Sequence, residues 1–306
     1  LSKSNISYAF PPKGIPIENL EIVENWTIRN NLERTGGAPS ADVPPQESLP
    51  DPMSFVVPTE IVELPSKGKG YPLDHPLHGL EVVEIRHMTA KDEDILTSRS
   101  LLKKGLALDR LIDNLLVDKR IRSMNLLSGD RSAIIIEARK YAYGNEYKTK
   151  ITCPECSDTK RYLYDLNNKH IHYGEIPEDV ESSPNGNFIV TLPRSKFKIE
   201  IKRMTGKDEQ EMMERVKKNS RSNRGVDSNL SEQIKSIIVS VNGDSRVTVC
   251  NYFAENMLSA DTRYLREVYK KINPDVKLKF DFTCRSCYHE QELEVALDAN
   301  FFWPDA

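Results

Sequence analysis

Four of the five cysteines stand in two Cys-x-x-Cys pairs, Cys153 with Cys156 and Cys284 with Cys287. Two thiolates held by one tight turn supply half of a tetrahedral zinc site, so the four together are expected to hold one Zn2+. Sulfur would then fill every position and leave none for water or substrate, which makes the metal structural. Two competing readings are a reduced, unliganded set and a redox pair. A redox pair belongs at a helix N-terminus after a strand, and these pairs lie between strands. His289, two residues past Cys287, could replace a thiolate, but its polar strand position favours solvent. A zinc ribbon spaces its pairs by roughly 15–20 residues. Here 127 residues intervene, so the fold itself must bring the halves together.

The flanking residues say which elements do so. Tyr147, Ile151, Tyr162, Tyr164 and Leu166 alternate with polar residues around the first pair, and Leu278, Phe280, Phe282, Leu293, Val295 and Leu297 around the second. Period-2 alternation is that of a half-buried strand, so each pair is expected at the tip of a hairpin. Adding 131 maps one knuckle on the other and continues upstream without a gap. Leu127, Ser128 and Asp130 fall on Leu258, Ser259 and Asp261, and Ile134, Ala138 and Tyr141 fall on Leu265, Tyr269 and Ile272. Both segments read as helices with Ser128 and Ser259 as N-caps and an Asp in the first turn. Met88–Glu93 matches Met204–Glu209 at an offset of 116, with Thr89 capping its helix. Leu64-Pro65 matches Leu192-Pro193 more weakly.

The sequence therefore implies an α+β chain built from an internally duplicated module of strands, helices and a knuckle hairpin. The copies would pair about a pseudo-two-fold axis around one four-cysteine zinc site. The expected divisions are a proline-rich extended arm at 1–56, repeat 1 at 57–174, an acidic linker at 175–186, and repeat 2 at 187–306. The arm carries Tyr8, Phe10 and Trp26, aromatics costly to leave in water, and the chain closes on Phe301, Phe302 and Trp303. These six are the candidate partner-binding residues.

Composition narrows the function classes. The net charge is −3 over 306 residues and the pI is near 6.2, which argues against a protein built mainly to grip nucleic-acid phosphate. The run Arg215–Arg224 holds five basic residues and no acidic one; a solvated loop is the default reading for such a run. No apolar stretch approaches a membrane span, and Leu1–Asn5 does not read as a signal peptide. Paired cysteines suit a reducing compartment, and Cys250 reads as a buried structural thiol. No hydrolase, metalloprotease, dinucleotide or kinase motif occurs, so an enzyme is not expected.

Three motifs carry a resemblance over residues 56–304: Leu64-Pro65-Ser66-Lys67-Gly68 with Tyr71-Pro72, the Met88–Glu93 block, and Cys284–Cys287 followed by Asp298–Pro304. The chain resembles baseplate hub and hub-assembly proteins of T-even-like contractile-tailed phages. That resemblance implies a non-enzymatic structural or assembly component. Its partners would be other baseplate and tail proteins, with several copies in a symmetric assembly. It would be made in the host cytoplasm and built into the virion. The alternative from the residues alone is a zinc-ribbon-like nucleic-acid-binding protein.

Overall fold

The computed structural model describes residues 56–302 except 184 and 223–228. Tyr8, Phe10, Trp26 and Trp303 lie outside the described residues. The first part of the fold is a hairpin of β1 (Thr59–Glu63) and β2 (Val82–Arg86), then α1 (Ala90–Thr97), α2 (Arg99–Lys104), α3 (Ala107–Leu115) and α4 (Ser128–Tyr143). A hairpin of β3 (Glu146–Thr152) and β4 (Thr159–Asp165) follows. Next come β5 (His170–His172) and an antiparallel sheet of β6 (Val180–Ser182), β7 (Phe188–Thr191), β8 (Lys198–Ile201) and β9 (Ile238–Val241). Between β8 and β9 lie α5 (Gly206–Ser222) and α6 (Asn229–Ile237); α7 (Val247–Asn256) and α8 (Ser259–Ile272) follow. The end is β10 (Asp275–Lys277), β11 (Lys279–Thr283), β12 (Glu290–Glu294) and a 3-10 turn at Ala299–Phe301. The chain is a mixed helix and strand fold with several small sheets.

Segments matched by the offsets form the same elements. β2 and β8 are followed by α1 and α5, and the four helix-start residues bond alike. Thr89 N and Oγ1 donate to Asp92 Oδ2 at 2.8 and 2.9 Å, and Thr205 does the same to Asp208 at 2.9 and 2.9 Å. The cation six residues before each Asp completes the motif: Arg86 grips Asp92 at 2.7 and 2.9 Å, and Lys202 meets Asp208 at 2.6 Å. Burial alone would raise both carboxyls, but the cation and the Thr contacts outweigh it and hold both below the ordinary carboxylate range. The later helices differ from expectation by one residue. Leu127 and Leu258 are the N-caps of α4 and α8, and the serines sit inside the first turn. Ser128 Oγ bonds the Met204 carbonyl instead, at 3.1 Å.

Three apolar clusters hold the structure. The first gathers Leu64, Ile85, Leu111, Ile112, Leu115 and Ile134 with Phe301 and Phe302. The second gathers Val190, Ile199, Ile201, Ile234 and Leu265. The third lies between the knuckle hairpins. Each fully buried aliphatic side chain contributes roughly 1.5–3 kcal/mol of transfer free energy. Phe301 and Phe302 are each 1% exposed, with the Tyr147 ring tilted 34° to Phe301 at 5.3 Å. Both belong to the first apolar cluster.

The two matched helix starts pack differently. The start of α4 packs on the second module: Leu127 bridges Thr205, Ser128 N donates to Met204 O at 3.1 Å, and Leu127 is 4% exposed. Its counterpart Leu258 is 55% exposed. β5 pairs with β10, joining segments that the offset does not relate.

Candidate metal centre

Each knuckle hairpin ends in one tight turn. In the first, Cys153 N donates to Asp158 O and Ser157 N to Cys153 O, both at 2.9 Å. In the second, Cys284 N donates to His289 O and Tyr288 N to Cys284 O, again at 2.9 Å. Ser157 and Tyr288, each just after the second cysteine, take left-handed φ of 57° and 58°. Reversing the chain there aims both sulfurs of a pair to one side, and neither residue is the glycine that conformation favours.

Packing then brings the turns together. Tyr162 meets Phe282 edge-on at 5.0 Å, and Tyr164 stacks on Phe280 at 3.5 Å, with Ile151 and Leu293 filling the same layer. Outside that layer Ser286 Oγ accepts from Lys160 at 2.5 Å and donates to Asp158, lacing one knuckle to the other. Sequence reasoning missed this lacing, because its members are polar residues 126 and 128 positions apart with no pattern linking them.

All four sulfurs lie within 4.8 Å of one another. Cys153 Sγ is 3.6 Å from Cys287 Sγ, and Cys156 Sγ is 3.6 Å from Cys284 Sγ. Each cross-pair joins the first cysteine of one knuckle to the second of the other. A disulfide needs about 2.05 Å between sulfurs. Four sulfurs about 2.3 Å from a central zinc would stand about 3.8 Å apart, and the observed spacing fits that. Cys153 and Cys284 are buried, while Cys156 and Cys287 face outward. The amides of Cys287 and Ser286 hold the Cys284 thiol down to about 6. At Cys287 the His289 amide also lowers the thiol, but burial and the three nearby sulfurs outweigh it and push it up to about 12. Sulfurs this close cannot all ionise without a cation among them. The donor set fits a soft tetrahedral metal.

The other singled-out residues lie elsewhere. His289 Nε2 contacts Gln291 Oε1 at 3.2 Å and stays out of the thiol cluster. Cys250 is buried, its Sγ near the carbonyls of Val239 and Asp244 at 3.7 and 3.8 Å. His78 Nδ1 contacts the Tyr71 carbonyl, and His172 Nε2 the Lys271 carbonyl. Arg215 lies on α5, not in a loop, and bonds Glu232 at 2.8 Å and Ser236 at 2.5 Å. Among the described residues no helix is long and apolar enough to cross a membrane.

A family model described as T4 bacteriophage base plate protein matches residues 57–303. No curated protein and no solved structure matches the chain.

Proposed function

The chain belongs to the T4 bacteriophage base plate protein family, and from that premise we propose that it is a non-enzymatic structural or assembly component of the hub region of a contractile-tail baseplate. The family match over residues 57–303 carries this reading. Its partners are other tail proteins, it is made in the host cytoplasm, and it works in the virion. Residues 1–56 serve as an arm, with Tyr8, Phe10 and Trp26 as its anchors on a neighbouring subunit and Trp303 as a further contact. Such an arm stabilises an assembly at the cost of its ordering entropy.

Within the chain, Cys153, Cys156, Cys284 and Cys287 hold one structural Zn2+ that staples the two knuckles. The cross-pair spacing of 3.6 Å supports this. The core is an internal duplication, repeat 1 at 57–174 and repeat 2 at 187–306 joined by an acidic linker at 175–186. The matching knuckle turns and the matching Thr-Asp-cation motifs support it. Two-fold symmetry is local to the knuckles. A duplicated core pinned by metal gives a stiff body on which other subunits can be mounted.

Co-purification tests the role. With the other baseplate proteins of the same phage, the chain should enter a defined subassembly. A chain that stays monomeric and binds none of them would end the proposal.

A further inference from the structure

The two knuckle hairpins meet through one face each, which leaves their other faces on opposite sides of the pair. Side chains alternate across a strand. Since Tyr162 and Tyr164 point in towards Phe282 and Phe280, their neighbours point out. On the outer face of the first hairpin, Lys150 stands directly opposite Arg161. On the outer face of the second, Asp281 stands directly opposite Glu292, and Glu290 lies on the same strand face. Lys150, Arg161, Asp281, Glu290 and Glu292 are all exposed. Like charges directly opposed across two strands are destabilising. Among the described residues no ion pair relieves Lys150, Arg161, Asp281 or Glu290; the nearest pairs are Lys148 with Glu146 and Lys279 with Glu292.

We infer that the basic outer face of one copy docks on the acidic outer face of a second copy of this chain. Both faces belong to one two-layer unit and have the same strand spacing. The first also carries Lys148 and, at its far end, the acidic pair Glu146 and Asp165, so its positive charge gathers at Lys148, Lys150 and Arg161, where a cationic cross-strand pair can sit over an anionic one. The repulsion within each pair then becomes attraction between copies. The two faces differ, so the contact is head-to-tail, and repeating it produces a ring where the rotation closes or a row where it does not.

Its strength follows from its size. Two strands of five to seven residues, at about 3.4 Å per residue and about 4.8 Å between strands, offer a face on the order of 200 Å². A stable interface takes about 800 Å² per partner. The contact is therefore weak, forming measurably only at high protein concentration and low salt or where other contacts already hold copies side by side. Exposed charges are screened over about 8 Å at physiological ionic strength, so salt weakens it. The inference rests on the hairpin faces alone, and its failure would leave the baseplate reading untouched.

Sedimentation of the full chain over a concentration series, at low and at high salt, tests it. At low salt the mean mass should rise with concentration; at high salt it should stay that of the monomer. The double variants Lys150→Glu/Arg161→Glu and Asp281→Lys/Glu290→Lys should each lower the association constant at least about tenfold, because each sets like charge against like. Joining all four substitutions in one chain exchanges the two faces and should restore association. Circular dichroism matching the parent certifies that each variant folds. A monomer at low salt, association indifferent to salt or to either double variant, or a folded four-site variant that stays monomeric would each overturn the inference.

Discussion

Asp130 and Asp261 occupy matched helix starts, are both 0% exposed, and accept the backbone amide of the same turn, from Ser66 at 3.0 Å and Arg194 at 2.8 Å. Yet their carboxyls shift in opposite directions. Burial raises Asp130, and hydrogen bonds from Tyr71 at 2.6 Å and from Ser66 do not offset it. Burial also pushes Asp261 up, but the Arg194 and Ser195 amides overcome it and hold the group below its ordinary value. The lowered Asp261 contributes stability that is present above the ordinary carboxylate range and lost as pH falls through its folded value. The raised Asp130 contributes stability that is present below that range and lost as pH rises through its folded value. Asp261→Asn should therefore cost about 1–3 kcal/mol at neutral pH and less in acid. Asp130→Asn should cost most in acid and less as pH rises. Urea midpoints of both variants across pH check this, and slopes of the same sign would refute it.

The Thr-Asp-cation motif predicts a ranking. Asp92 is fully buried and takes two bonds from Arg86, while Asp208 keeps 13% side-chain exposure and takes one bond from a Lys202 that is 38% exposed. Breaking a buried ion pair leaves an uncompensated charge and costs about 3 kcal/mol; a partly exposed pair is screened and contributes less. Asp92→Ala should thus destabilise more than Asp208→Ala. Thr89→Ala and Thr205→Ala should each cost about 1 kcal/mol, the ordinary loss of a cap. Equal costs for the two aspartates in thermal unfolding would contradict the ranking.

One Zn2+ per chain is expected in the purified protein. Cys153→Ser and Cys284→Ser should each abolish it, since both knuckles contribute to one tetrahedron, and a chelator should lower the unfolding temperature because metal binding here is also folding free energy. Elemental analysis and a thermal scan of each variant decide it. Metal retained in either variant, or an unfolding temperature indifferent to chelation, would separate the knuckles into independent sites.

Local signals in the sequence foretold local structure. Period-2 alternation around Cys153 and Cys284 located both hairpins to within about three residues, because strand faces follow directly from the pleat. The Thr89 and Thr205 helix starts were legible because a cap spans only three residues. The α4 and α8 starts were misread by one residue, since Asp130 and Asp261 bind distant turns and the serines do not cap. What joins remote segments left no trace. His170–His172 pairs with Asp275–Lys277 across about a third of the chain, and Arg203 ties the two modules by reaching the carbonyls of Lys69 and Ile272 at 2.9 and 3.1 Å. A contact of that range is set by three-dimensional packing, which no spacing encodes.

The different packing of the two matched helix starts has a test at one atom. Gly129, in the first turn of α4, lies so close to the second module that a Cβ there would come within 2.2 Å of the Pro274 carbonyl oxygen. Its matched residue, Ala260, is exposed and carries its Cβ freely. Were the modules packed about a two-fold, both positions would face the same constraint. Because the start of α4 is pressed against Pro274, Gly129→Ala should push the two apart and cost about 1–3 kcal/mol, as overpacking does. The helix propensity of Ala would return no more than about 1 kcal/mol of that. Ala260→Gly should cost only the propensity difference, about 1 kcal/mol or less. Urea unfolding of the two variants separates the cases. A Gly129→Ala protein as stable as the parent would mean that the start of α4 can withdraw from Pro274, and that contact would then contribute little to holding the modules together.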